Sequence, residues 1–139
     1  MASATELRDD LRSAGLRATG ARLSILAALR RIGTPVSHGE MEAALDGSPW
    51  NRTTIYRNLL DLARVGLARR FDVGDHVWRF EARADRPNGE HPHFICNACG
   101  EIECLDGVEL ALGRSERAPR AVVQQDVEIQ VQGVCDRCQ

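Results

Sequence analysis

All five cysteines and two of the four histidines fall within residues 91–138 of this 139-residue chain. Cys96-Asn97-Ala98-Cys99 and Cys135-Asp136-Arg137-Cys138 form two Cys-x-x-Cys pairs, separated by 35 residues. Two such pairs supply the four thiolates of a tetrahedral zinc site, and each closes a tight turn on the ion. The competing chemistries are disulfides and a redox pair. A redox pair is normally followed by a helix, whose N-terminal dipole lowers a thiol pKa. Cys138 is followed by a single residue and starts no helix. Structural zinc on Cys96, Cys99, Cys135 and Cys138 is therefore expected.

His91 and His93 precede the first pair. On an extended strand, residues two apart face the same side, so both imidazoles can meet one ion while Cys96 faces the other way. Cys104 is the one cysteine outside the pairs. Two imidazoles, a spare thiol and nearby carboxylates suggest a second metal site. Solvated surface histidines and a buried apolar cysteine are the bland alternative.

These residues need a scaffold, and the first 80 residues read as helices followed by a hairpin. Thr5 to Ser13 reads as a short helix stopped by Gly15. Thr19 or Gly20 starts a second, with Ile25, Ala28, Leu29 and Ile32 at helical spacing. Ser37 caps a third and Glu40 completes a capping box. Asn51 caps a fourth, running to about Val65. Its inward face is Ile55, Leu59 and Leu62; Arg52, Thr53, Tyr56 and Arg57 cluster outward, with Leu60 an exception among them. Residues 67–71 and 76–80 flank an Asp/Gly turn and read as a hairpin. Helices followed by a hairpin describe a winged helix-turn-helix, whose last helix enters the major groove of DNA. Arg and Tyr just after the fourth helix's cap favour DNA over an ordinary solvated face.

The expected fold class is α+β. The expected domains are a winged helix at 1–81, a hinge at 82–90 and a small αβ metal-binding dimerisation domain at 91–139. In the last, 91–96 and 101–105 read as strands, 106–115 as a short helix and Val122 to Val134 as a half-buried strand. So small a unit has little core of its own, so a dimer with a sheet continued across a two-fold axis is expected.

Every one of the 18 basic residues is arginine. Residues 1–80 hold 12 Arg against 9 acidic residues, a net +3; residues 81–139 hold 6 against 11, a net −5. A basic half suits a polyanion and an acidic half with His and Cys suits cations. No apolar run reaches membrane-spanning length and no signal peptide pattern opens the chain, so the expectation is a cytoplasmic protein with no membrane partner. Reduced thiols agree with that compartment.

The chain resembles the ferric uptake regulator (Fur) family of metal-dependent transcription factors. Gly15-Leu16-Arg17-Ala18-Thr19 with Arg22 is similar to the family's N-terminal segment. Thr54-Ile55-Tyr56-Arg57-Asn58-Leu59 is close to its recognition-helix signature. His91-x-His93-x-x-Cys96-x-x-Cys99-Gly100 with Cys135-x-x-Cys138 matches its metal signature. The resemblance implies structural zinc on the four paired cysteines and a regulatory metal near the hinge, at positions matching Glu81, His91, His93 and Cys104. Members usually carry a carboxylate at the last of these. Thr34 stands where many iron-sensing members have a histidine, with His38 nearby but shifted along the helix. The histidine and acid of an additional metal site in some members are replaced by Glu90 and Pro92.

The resulting expectation is a metal-responsive repressor that binds a palindromic operator in double-stranded DNA as a homodimer, has no small organic substrate and controls metal-homeostasis genes. Tyr56 and Arg57 would approach bases; Arg17, Arg22 and Arg52 would meet backbone or minor groove. Two imidazoles, a carboxylate and a thiolate suit four-coordinate Zn2+, which tilts the sensed metal toward zinc and the zinc-uptake branch. Were Cys104 to face the core, Glu101, Glu103 or His38 would complete a harder site. Fe2+ or Mn2+ sensing and peroxide sensing are the alternatives within the family. A zinc hydrolase and a zinc-stabilised protein-binding adaptor are alternatives outside it.

Overall fold

In the computed structural model, the described residues are 3–83, 92–105, 107–108, 110, 117–123, 127 and 129–139. The chain divides into two compact units, Met1–Arg83 and Ala84–Gln139. Most of the expected hinge, at 84–90, lies outside the described residues, as does His91. Among the described residues, no helix is long and apolar enough to cross a membrane.

The first unit begins with α1 (Ala4–Ser13) and α2 (Gly20–Ile32). Ser3 and Glu6 form a reciprocal capping box on α1, two residues upstream of the expected start at Thr5. Thr19 accepts the N–H of Arg22 and caps α2. Leu7 and Leu11 of α1 are buried with Ile25, Leu26 and Leu29 of α2 in one core. Asp10 pairs with Arg30 at 2.8 Å across these helices.

A two-residue strand, β1 (Val36–Ser37), leads into α3 (His38–Ala44), where Ser37 and Glu40 form the expected capping box. Asn51 then accepts the N–H of Thr54 at 2.8 Å and starts α4 (Arg52–Arg64). Ile55, Leu59 and Leu62 are its buried residues, on the face that the heptad spacing marks.

The hairpin is β2 (Ala68–Asp72) and β3 (Trp78–Ala82), antiparallel, with Arg70 opposite Phe80. β1 pairs with the other edge of β3, so the sheet order is β1-β3-β2. Four helices with this three-stranded sheet make a winged helix. His76 and Val77, expected in the second strand, belong to the turn instead. Asp75 takes the Val77 N–H at 3.1 Å and holds Arg79 through both carboxylate oxygens, which lowers its pKa below the usual carboxylate range. His76 adopts a left-handed backbone, φ 62°, to let that turn form.

In the second unit, β4 (His93–Cys96) is the centre of a three-stranded sheet of order β5-β4-β6. β5 (Ile102–Cys104) runs antiparallel to it and β6 (Gln130–Gly133) parallel. The expected strand from Val122 is corrected at its start: Arg120–Val123 form a short helix, α5, and the described strand is Gln130–Gly133. Pro119 explains the helical turn, because its fixed φ suits a helix start and its carbonyl accepts the N–H groups of Val122 and Val123. The helix expected at 106–115 lies largely outside the described residues; Leu105 and Val108 close a turn there. A Cβ at Gly133 on β6 would stand 3.2 Å from the Phe94 ring, a close approach that a larger residue would keep only if the ring gave way slightly.

Asn51 offers a direct test of this reading of α4. Asn51→Ala should cost about 1 kcal/mol and Asn51→Gly only a few tenths, roughly, as for helix N-caps generally. Thermal melts of the two variants check this, and equal losses would mean the cap is not the source of the stability.

Candidate metal centres and nucleic-acid interface

The four paired cysteines converge within the second unit. Their sulfur atoms lie within 4.8 Å of one another, and Cys99 Sγ is 3.9 Å from Cys135 Sγ. A tetrahedral ion with zinc–sulfur bonds of about 2.3 Å needs sulfurs about 3.8 Å apart. The donor set and its spacing therefore fit zinc.

The chain builds this convergence from two turns. Cys96 ends β4, and the Gly100 N–H bonds back to the Cys96 carbonyl at 2.9 Å. Gly100 takes φ 77°, a conformation that favours glycine. The second turn follows β6, and Cys138 N–H closes it on the Cys135 carbonyl at 3.0 Å. Asn97 N–H donates to the Gly133 carbonyl at 2.7 Å, so the first turn is bonded to the strand that carries the second. Arg137 also pairs with Glu101 between them.

Cys96 is the buried sulfur of the four, and it accepts three backbone N–H groups, from Ala98, Cys99 and Cys135, each at 3.4 Å. The amides of Cys135 and Cys99 hold its thiol down, to about 6. Cys138 is pushed up to about 12, chiefly by its hydrogen bond with Cys135, and Cys99 is raised by its bond with Cys96. Crowded thiols resist ionising together, and a dication reverses that by neutralising their charge.

Two of the residues expected at a second site stand together. His93 is buried on β4, and Cys104 lies directly opposite it on β5. Opposed residues of an antiparallel pair share a face, so imidazole and thiol point to the same side. Their ligand atoms lie within 4.8 Å of each other. Glu81 is buried near the end of β3, in the first unit, opposite Arg69. His38 is engaged elsewhere: its Nε2 is 3.0 Å from the carbonyl oxygen of Arg52.

On the winged helix, Arg52, Thr53 and Arg57 are exposed on α4 and Tyr56 is half-buried beside them. Arg17 is exposed in the segment before α2. Arg22 is placed differently. It pairs with Asp61 of α4 at 3.1 Å and donates to the Arg17 carbonyl at 3.0 Å, leaving its side chain 19% exposed. It braces α2 against α4. Two further features had no signal in the spacing of the sequence. Glu42 of α3 meets the Arg52 guanidinium at 3.7 Å, and Arg70 stacks 4.1 Å over the ring of exposed Trp78 on the wing. Both depend on strand register or helix packing, which a linear pattern does not carry.

Comparison with known proteins gives one answer. The model of the ferric uptake regulator family matches residues 13–132. A ferric uptake regulation protein of Synechococcus elongatus is 30% identical, covering 99% of this chain and 95% of that protein. The peroxide-responsive repressor PerR of Staphylococcus aureus is 32% identical, covering 93% and 86%. The crystal structure of the Vibrio cholerae ferric uptake regulator shares the fold with a TM-score of 0.67 at 22% identity, covering 92% of this chain and 98% of that one. Family members are metal-responsive transcription regulators and not enzymes, which removes the hydrolase alternative. With its winged helix, its αβ unit and its four-cysteine cluster, this chain belongs to the ferric uptake regulator family.

Proposed function

We propose that this regulator is a zinc-sensing repressor that binds a palindromic operator as a homodimer in the cytoplasm and controls metal-homeostasis genes. The observation that carries the choice of zinc is the His93–Cys104 pair across β4 and β5. An imidazole and a thiolate on one face suit four-coordinate zinc better than the nitrogen- and oxygen-rich surroundings that iron(II) and manganese(II) prefer. Glu81 and His91 complete the ligand set on the family pattern. A first zinc, on Cys96, Cys99, Cys135 and Cys138, is structural. Thiols kept free for both ions agree with a reducing compartment.

The regulatory ion acts through linkage. It favours the DNA-competent form to the extent that this form holds it more tightly. In that form Tyr56 and Arg57 approach base edges, while Arg17 and Arg52 contact phosphates. Thr53 lies on the same exposed face and contributes a hydroxyl to the contact. Arg22 serves by holding α4 against α2. A redox-active iron at the same place is the second reading, favoured by the similarity to a peroxide-responsive repressor. Under the zinc reading, peroxide at concentrations that spare the four-cysteine site leaves DNA binding unchanged.

Three outcomes are expected. Cys96→Ser or Cys138→Ser should lose one zinc per chain and unfold the second unit or abolish dimerisation, because the ion joins segments that bury little apolar surface; metal analysis with circular dichroism and sedimentation reads this. Cys104→Ser should keep that zinc and the fold yet raise the zinc concentration needed for DNA binding. Cobalt substitution reports directly, since a thiolate ligand gives a sulfur-to-metal charge-transfer band. An unchanged second-site band in Cys104→Ser removes Cys104 from the site. Arg57→Ala should cost about 1–3 kcal/mol on the preferred duplex and less on random DNA. Arg17→Ala should weaken both and flatten the salt dependence. Equal loss on both duplexes for Arg57→Ala would remove it from base reading.

A further inference from the structure

His38 is left over by both metal centres, yet it touches the neighbouring helix α4 through both a polar contact and a ring contact. It is the first residue of α3 and is half-buried. Its Nε2 lies 3.0 Å from the carbonyl oxygen of Arg52, the first residue of α4. A carbonyl only accepts, so Nε2 carries the proton and donates. Its ring also lies against Tyr56, with centroids 5.0 Å apart and planes tilted by 39°. Such a tilted contact at this separation is a favourable aromatic arrangement.

Both contacts fall on the first turn or so of α4, where the exposed arginines also stand. Glu42, one helical turn after His38 on α3, meets the Arg52 guanidinium at 3.7 Å. Thus α3 grips Arg52 at its carbonyl through His38 and at its side chain through Glu42. The two grips differ in what DNA does to them. Arg52 and Glu42 are exposed, and a phosphate competes for the guanidinium. The His38 contacts involve a backbone carbonyl and a ring, which phosphate does not displace.

We propose that His38 is a positioning residue for sequence recognition, fixing the start of α4 and the Tyr56 ring in the orientation that meets DNA. The role rests on the DNA-binding reading above. It acts through Tyr56 and the helix start, and His38 itself need not touch the nucleic acid. Preorganising a recognition group removes the cost of ordering it on binding, so the gain appears as affinity for the preferred sequence. Phosphate contacts elsewhere on the domain do not depend on His38, so affinity for random DNA changes little.

The test uses the full-length, zinc-loaded protein. A duplex selected by that protein from a random pool is compared with a scrambled duplex of the same length. His38→Ala should weaken binding to the selected duplex about fivefold, the scale of one neutral hydrogen bond, and change the scrambled duplex by less than about twofold. In a Tyr56→Ala background the same substitution should cause a smaller further loss, because the share that acts through the Tyr56 ring is already gone while the share through the helix start remains. His38→Phe, which keeps a ring but not the donor, should fall between wild type and His38→Ala. Tyr56 is the chain's single tyrosine, so its ring resonances are unambiguous. They should shift in free His38→Ala protein whose melting curve shows it folded. Additive losses, equal losses on both duplexes, or an unmoved tyrosine signal would each overturn the role of His38. Failure of the wild-type protein to prefer any duplex would instead overturn the DNA reading itself.

Discussion

Among the described residues, apolar burial is distributed very unevenly, and much of the architecture answers to that. Leu11, Ile25, Leu26, Leu29, Met41, Ile55, Leu59, Leu62 and Phe80 fill one core in the first unit. In the second unit, the buried apolar side chains among the described residues are Pro92, Ile95 and Cys96. A unit that small cannot offset its conformational entropy by burial alone. It needs a staple, and the four converging thiols are placed to hold one. The three amides aimed at Cys96 lower its thiol pKa and so favour the thiolate that a metal takes as ligand.

The first unit has the opposite character. Its core is far larger, and several of its polar contacts orient α4. Arg22 with Asp61 joins α4 to α2, while His38 and Glu42 join it to α3. The exposed residues of α4 therefore project from a helix held on several sides. A rigid recognition element is what a regulator needs if a metal elsewhere is to control how that element is presented.

Much of this was legible in the residues. The caps at Thr19, Ser37 and Asn51 were readable because a side chain and an amide three residues on are a local pattern. The inward face of α4 followed from helical spacing. The four-cysteine cluster followed from two repeated spacings. What escaped was non-local or conditional. β1 is two residues long and exists because it pairs with β3. Asp61 lies 39 residues from its partner Arg22. The alternation after Val122 suggested a strand, but Pro119 commits the first residues to a helical turn. His38 was legible as an imidazole close to Thr34, where many iron-sensing members of the family have a histidine; packing of α3 on α4 turns it toward Arg52 and Tyr56.

The central claim is that two ions do different work, one holding the second unit together and one controlling DNA binding. Native mass spectrometry of the purified protein through a graded chelator titration, paired with DNA-binding measurements at each step, tests it most directly. The account predicts that one zinc per chain leaves first and takes specific DNA affinity with it, while the dimer persists. The second zinc then leaves only as the dimer is lost. DNA affinity that is unchanged when the first ion departs, or a single class of ion whose loss dissociates the dimer at once, would contradict it.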